Sequence, residues 1–120
     1  MRNDKKTRTL GFMLQTLEAL AVAAKGASAL DRECLKLLHD THEKAIQWVR
    51  DTRQLTRNDA TGIVRVMISK LTAERPDGES VTPLQESLLL QAQAAENFLR
   101  CDYSGATARA NDAYRIVNPY

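Results

Sequence analysis

The sequence predicts an all-α fold: a compact bundle of about five helices forming one domain over residues 1–120. Three observations carry that expectation. Apolar residues recur at the helical period, most clearly between Asp31 and Leu55. There Leu30, Cys34, Leu37, Thr41, Ala45, Trp48, Thr52 and Leu55 fall on one stripe, with Leu38 and Val49 beside it. Five glycines and three prolines in 120 residues suit helices joined by short connections. A hydrophobic content of 43% can fill a core without disulfides or metals, and with 5% aromatic residues that core must be mostly Leu, Ala, Val and Ile.

The elements follow in order. Residues 1–8 carry Arg2, Lys5, Lys6 and Arg8 and read as a flexible basic N-terminus. The first helix runs from about Thr9 to Lys25, with Leu10, Met13, Leu14, Leu17, Leu20, Ala21 and Ala24 on its apolar face. Gly26 supplies its C-cap. This stretch imitates a secretory signal, with Lys5-Lys6-Thr7-Arg8 ahead and Ala27-Ser28-Ala29 behind. Gln15 and Glu18 interrupt the apolar region, so the amphipathic helix is the better reading. The second helix starts after Ser28, which stands three residues before Asp31 in a capping-box-like arrangement, and runs to about Leu55.

Thr56 and Asn58 offer N-caps to a third helix that buries Ile63, Val64, Met67, Ile68 and Leu71. Gly62 inside it costs about 1 kcal/mol against Ala. Arg75-Pro76-Asp77-Gly78-Glu79-Ser80 is turn chemistry, because proline presets φ and glycine accepts a positive one. A fourth helix follows, capped by Thr82 with Pro83 at its first position and Gln85 closing the box. Leu84, Leu88, Gln91, Ala92, Ala95, Phe98 and Leu99 face inward along it. After a break at Cys101–Ser104, a final helix places Ala106, Ala110, Ala113 and Val117 on one face, and Asn118-Pro119-Tyr120 closes the chain.

The last two helices carry a family resemblance. Asp102-Tyr103-Ser104-Gly105-Ala106, then Ala110, Ala113 and Pro119, resemble half of a tetratricopeptide repeat over about a quarter of the chain. Asn97 and Phe98 stand where that family has a tyrosine, and no earlier segment repeats the pattern at its period. A tight helical hairpin, weakly TPR-like, is the expectation.

Charge is unevenly spread around a net +2. Residues 50–75 hold six basic groups against three acids, and residues 76–120 hold six acids against three arginines. Such a dipole can steer a partner, but it lacks the concentrated basic face of a dedicated DNA binder. Few aromatic rings argue against a stacking platform for single strands. No segment approaches the ~18 uninterrupted apolar residues of a membrane span, so no membrane contact is expected. Cys34 and Cys101 form no metal motif and read as buried free thiols in a reducing cytoplasm.

Residues suited to chemistry are sparse. His39 and His42 are the two histidines, spaced as a helical pair that can chelate a metal. A third ligand would have to come from elsewhere, with Glu43 or Asp40 the obvious candidates, and the spacing does not match His-Glu-x-x-His, so both are read as surface residues. Arg32 and His39, with six residues between them, resemble the arginine–histidine element of HEPN-type ribonucleases. That resemblance implies a histidine acid/base and a phosphate-holding arginine, completed by a second subunit. Glu33 departs from the family's polar residue, and Glu33 and Glu43 would repel a phosphate backbone. Glycine-rich phosphate loops and nucleophile elbows have no match here.

Arg50, Arg53, Arg57 and Arg65 remain, advancing along the end of the second helix and into the third. Two helices meeting at a short turn invite a helix-turn-helix reading, diluted by Asp51 and Asp59. The second helix also has a weaker apolar flank of Leu35, His42, Ile46 and Val49, to be covered by other helices or by a second copy of the chain as a homodimer. The expected function is that of a non-enzymatic, cytoplasmic helical interaction protein of accessory, chaperone-like or inhibitor type. It would bind a protein partner through a helix face, with Arg50, Arg53, Arg57 and Arg65 at the contact and neither metal nor cofactor. The alternatives are a nucleic-acid-binding regulator using the same arginines and a HEPN-like ribonuclease using Arg32 and His39.

Overall fold

A computed structural model describes residues 4–73 and 81–118. It is an all-α bundle of five helices: α1 Asp4–Ala23, α2 Ala29–Asp51, α3 Gln54–Ala73, α4 Pro83–Leu99 and α5 Tyr103–Val117. Its Cα radius of gyration is 13.8 Å, close to the ~13.6 Å expected of a compact 120-residue domain. The Arg75–Ser80 turn and Pro119-Tyr120 lie outside the described residues.

Helix α4 is the hub, packing on α1, α2, α3 and α5. That position explains its composition. Leu88, Ala92, Ala95, Phe98 and Leu99 are buried, and so are Ser87, Gln91 and Ala94, which widen the buried arc. A helix enclosed on so many sides needs small residues, because side-chain size sets how closely helices approach. Alanine supplies them on α5 too, where Ala106, Ala110 and Ala113 are fully buried. Hydroxyls lock this contact: Ser87 Oγ donates to the Ala113 carbonyl at 2.7 Å, and Thr16 Oγ1 of α1 to that of Ala110 at 3.4 Å. Helices α1 and α5 run parallel, with Lys5 against Ser104 and Thr9 against Thr107.

Local chemistry sets most of the ends. Ser28 Oγ accepts from the Asp31 backbone N–H. Thr82 and Gln85 form the full capping box ahead of α4, with Pro83 at the start. Gly26 takes a φ of 78° just past α1, a left-handed conformation that is strained for a side chain with Cβ.

Three boundaries differ from expectation. Residues 4–8, expected to be a flexible arm, belong to α1, where Lys6 Nζ sits 3.7 Å from the Trp48 ring centroid. A cation over an indole face is attracted by the ring quadrupole, and that contact anchors the segment. Helix α2 stops at Asp51 rather than near Leu55, because Thr52 turns left-handed (φ 53°) and its N–H closes on the Trp48 carbonyl. Leu55 therefore moves to α3 and is 69% exposed. Thr56 and Asn58 then lie inside α3, and Thr56 Oγ1 donates back to the Asp51 carboxylate at 3.0 Å instead of capping.

The α4–α5 hairpin turns at Cys101, a non-glycine residue at φ 66° that is exposed rather than buried as expected. Asp102 caps α5 by accepting from the Gly105 N–H at 3.0 Å. A Cβ on Gly105 would overlap the Asp102 carboxylate and the Asn97 amide. Gly105→Ala is therefore expected to lose about 1–2 kcal/mol, roughly the worth of that cap. Gly11→Ala meets nothing within 4 Å and should gain about 0.5–1 kcal/mol from helix propensity. Urea unfolding of the two variants checks both signs.

Candidate functional site

The four arginines singled out by sequence separate in space. Arg50 is exposed at the end of α2. Arg53 sits at the α2–α3 corner, its Nε 3.4 Å from Asp51 Oδ2. The Arg53 backbone N–H also bonds this carboxylate, and that bond leads the contacts that hold the Asp51 carboxyl below its ordinary range. Arg57 is half-buried on the first turns of α3, where its Nε donates to the Leu99 carbonyl at the end of α4. It thereby satisfies one of the carbonyls that every helix C-terminus leaves open. Its guanidinium also lies 5.8 Å from the Trp48 ring centroid.

Arg57 and Arg65 nonetheless share a cleft between α3 and the end of α4. Gln54, Asn58, Thr61 and Arg65 stand at three- and four-residue steps on α3, so one face of that helix forms a wall. The opposite wall is Glu96, Leu99 and Arg100, and the cleft encloses about 240 Å³. Glu96 Oε2 sits 3.9 Å from Arg65 and 3.7 Å from Arg100, whose side chains are 66% and 62% exposed. The cleft thus sets two guanidinium groups on one carboxylate and is lined by a third, that of Arg57. Arg100 was missed in sequence because it lies 35 residues beyond Arg65 and reaches the patch through the packing of α3 on α4.

Beneath the cleft lies an aromatic run. Trp48 meets Phe98 edge-on at 6.0 Å, and Phe98 meets Tyr103 at 5.5 Å. Burial, and then a hydrogen bond with Cys101, pushes the Tyr103 phenol up to about 12.

The histidines part ways. His39 is exposed, as expected, whereas His42 is fully buried and the surface reading is corrected. Gln91 of α4 covers it. Gln91 Nε2 lies 2.9 Å from both the Met13 carbonyl of α1 and His42 Nε2. The amide has two hydrogens, so it donates to both. The imidazole must then carry its own hydrogen on Nδ1, which donates to the Leu38 carbonyl at 2.8 Å. Gln91 Oε1 has no donor among the described residues. Among those residues no three His, Cys, Asp or Glu side chains gather as a metal site, and no helix is long and apolar enough to cross a membrane.

Arg32 and His39 are both exposed on α2. The Arg32 guanidinium donates to the Ala27 carbonyl at 2.9 Å, and neighbouring Glu33 pairs with Lys70 of α3 at 2.8 Å.

Burial lowers His42 from 6.5 to about 4. A protonated ring would turn an N–H toward the Gln91 amide nitrogen. The amide would then have to rotate and release the Met13 carbonyl. Between about pH 6.5 and 4 the unfolded chain takes up this proton while the folded one does not, so stability falls as the pH is lowered. The contribution is complete above about pH 6.5, drains through the interval, and is gone below about pH 4, with a full extent of about 3 kcal/mol. In urea unfolding, His42→Leu is expected to lose this dependence, apart from what other groups contribute.

No protein-family model, curated protein or solved structure matches this chain, so the chemistry of the cleft rests on its own residues.

Proposed function

We propose that this protein is a non-enzymatic helical interaction protein that binds an acidic segment of a protein partner in the α3–α4 cleft. The observation that carries the reading is the convergence of Arg65 and Arg100 on the single carboxylate of Glu96, in a cleft that Arg57 also lines. Arg65 and Arg100 are largely exposed and hold Glu96 at the outer limit of an ion pair. A partner's carboxylate can take both forks in a shorter, bidentate arrangement. Exposed pairs at such distances contribute little to folding, so exchanging them costs the bundle little.

A protein partner suits the cleft better than a nucleic acid. Arg65 and Arg100 meet at one carboxylate rather than following a line. Arg53 and Arg50, outside the cleft, supply long-range steering and no direct grip.

Capture from nuclease-treated lysate tests this reading. The tagged protein is expected to retain a stoichiometric protein, and Arg65→Glu with Arg100→Glu should weaken that retention at least tenfold with an unchanged melting temperature. Retention unaffected by the double reversal overturns the cleft. A partner lost on nuclease treatment transfers the arginines to the nucleic-acid reading, which then demands an affinity falling steeply with salt.

A further inference from the structure

A second surface is independent of the arginine cleft. Between the outer sides of α2 and α3 runs a groove of about 440 Å³ lined by Leu37 and Lys44 from α2 and by Asn58, Asp59, Gly62, Ile63 and Val66 from α3. Its floor is apolar, and Val66 is 50% exposed. Leu55, on the same stripe of α3, is 69% exposed. The weaker apolar flank of α2, expected to be covered by other helices or by a second copy, is not this one. Leu35, Ile46 and Val49 pack against the core within the chain, and Gln91 closes over His42.

Register says what fits the groove. Helices α2 and α3 are antiparallel about the corner at Thr52. Lys44 lies eight residues before that corner and Asp59 seven after it; Leu37 lies fifteen before and Val66 fourteen after. At 1.5 Å per residue the members of each pair stand at nearly the same height on opposite walls. Lys44 and Asp59 have opposite charge, and among the described residues no ion pair or hydrogen bond occupies either one. A two-fold axis along the groove lays α2 of each copy on α3 of the other. Lys44 then meets the counterpart of Asp59 in both directions, and Leu37 meets the counterpart of Val66.

We infer that the α2–α3 groove is a self-complementary surface through which a second copy of this chain docks as a two-fold dimer built on a four-helix core. A closed isologous contact of this kind needs each residue to find its partner twice, and the height match provides it. Gly62 on the floor presents no Cβ contact within 4 Å of its own chain, which leaves room for the facing helix.

Sedimentation velocity over a wide concentration range reads the result. The wild-type chain is expected to dimerise with rising concentration. Lys44→Glu and Asp59→Lys should each weaken the dimer at least tenfold by placing like charges together. The double variant carrying both changes should recover it. Val66→Glu should leave a monomer with an unaltered circular dichroism spectrum. A wild-type chain that stays monomeric throughout overturns the proposal, including the case in which the groove takes a different protein's helix. A dimer indifferent to these changes, or a double variant as weak as the singles, overturns it as well.

Discussion

The bundle depends on one amide. Gln91 sits in the fully buried interior of α4 and spends both its hydrogens on neighbours from two other helices, the Met13 carbonyl of α1 and the ring of His42 on α2. Apolar contacts alone let helices slide past one another at small cost, since leucine against leucine is tolerant of register. A buried donor has no such tolerance, because leaving it unpaired costs about 1–3 kcal/mol. The amide therefore fixes the heights of α1, α2 and α4 together. Ser87 and Thr16 extend the same logic to α5 by donating to its backbone. At the outer end of α4, Gln85 donates to Asp31 Oδ1 at 3.1 Å and gives α2 a second fixed point.

With the registers set, the charges divide into those the fold uses and those it leaves outward. Arg57 closes the C-terminus of α4, and Asp51 gathers Arg53 and Thr56 at the corner between α2 and α3. Lys6 clamps the first turn of α1 to Trp48. These groups are bound to their places by burial or by several bonds at once. Arg65 and Arg100 are held by one distant carboxylate and remain largely in solvent. A guanidinium that is both positioned and under-used is what distinguishes the cleft from the rest of the basic surface.

Much of the fold was legible because its signals are local. Ser28, and Thr82 with Pro83 and Gln85, announce helix starts through bonds made within three residues, and the periodicity of α4 and α5 named nearly every buried position. The misreadings arise where the deciding contact is remote. Nothing near His42 says it is buried; that follows from Gln91, 49 positions away. The end of α2 was placed four residues late because Leu55 keeps the apolar period while Thr52 breaks the backbone. Threonine at a left-handed position gives no compositional warning of the kind glycine would. The arginine site was half legible for the same reason. Arg57 and Arg65 share a helix, whereas Arg100 and Glu96 arrive through tertiary packing.

Helix α3 explains why the two proposed surfaces fall where they do. Among the described residues it packs on α2 and α4, whereas α4 packs on all four other helices. Two of its faces consequently look outward, one toward the end of α4 and one past α2, with Asn58 bordering both. The first gathers arginines; the second is apolar with one charge of each sign. Their chemistries suit the two different tasks proposed for them. A cleft of guanidinium groups grips through directional bonds to carboxylates, while an apolar groove grips by excluding water and uses charge to set the register. The residues that decide each surface, Arg65 and Arg100 against Lys44 and Val66, do not overlap. A change to one surface therefore leaves the other intact, and two copies joined through their grooves would present two clefts to a partner. A partner with two acidic segments within reach of both would then bind through effective concentration rather than through any new contact.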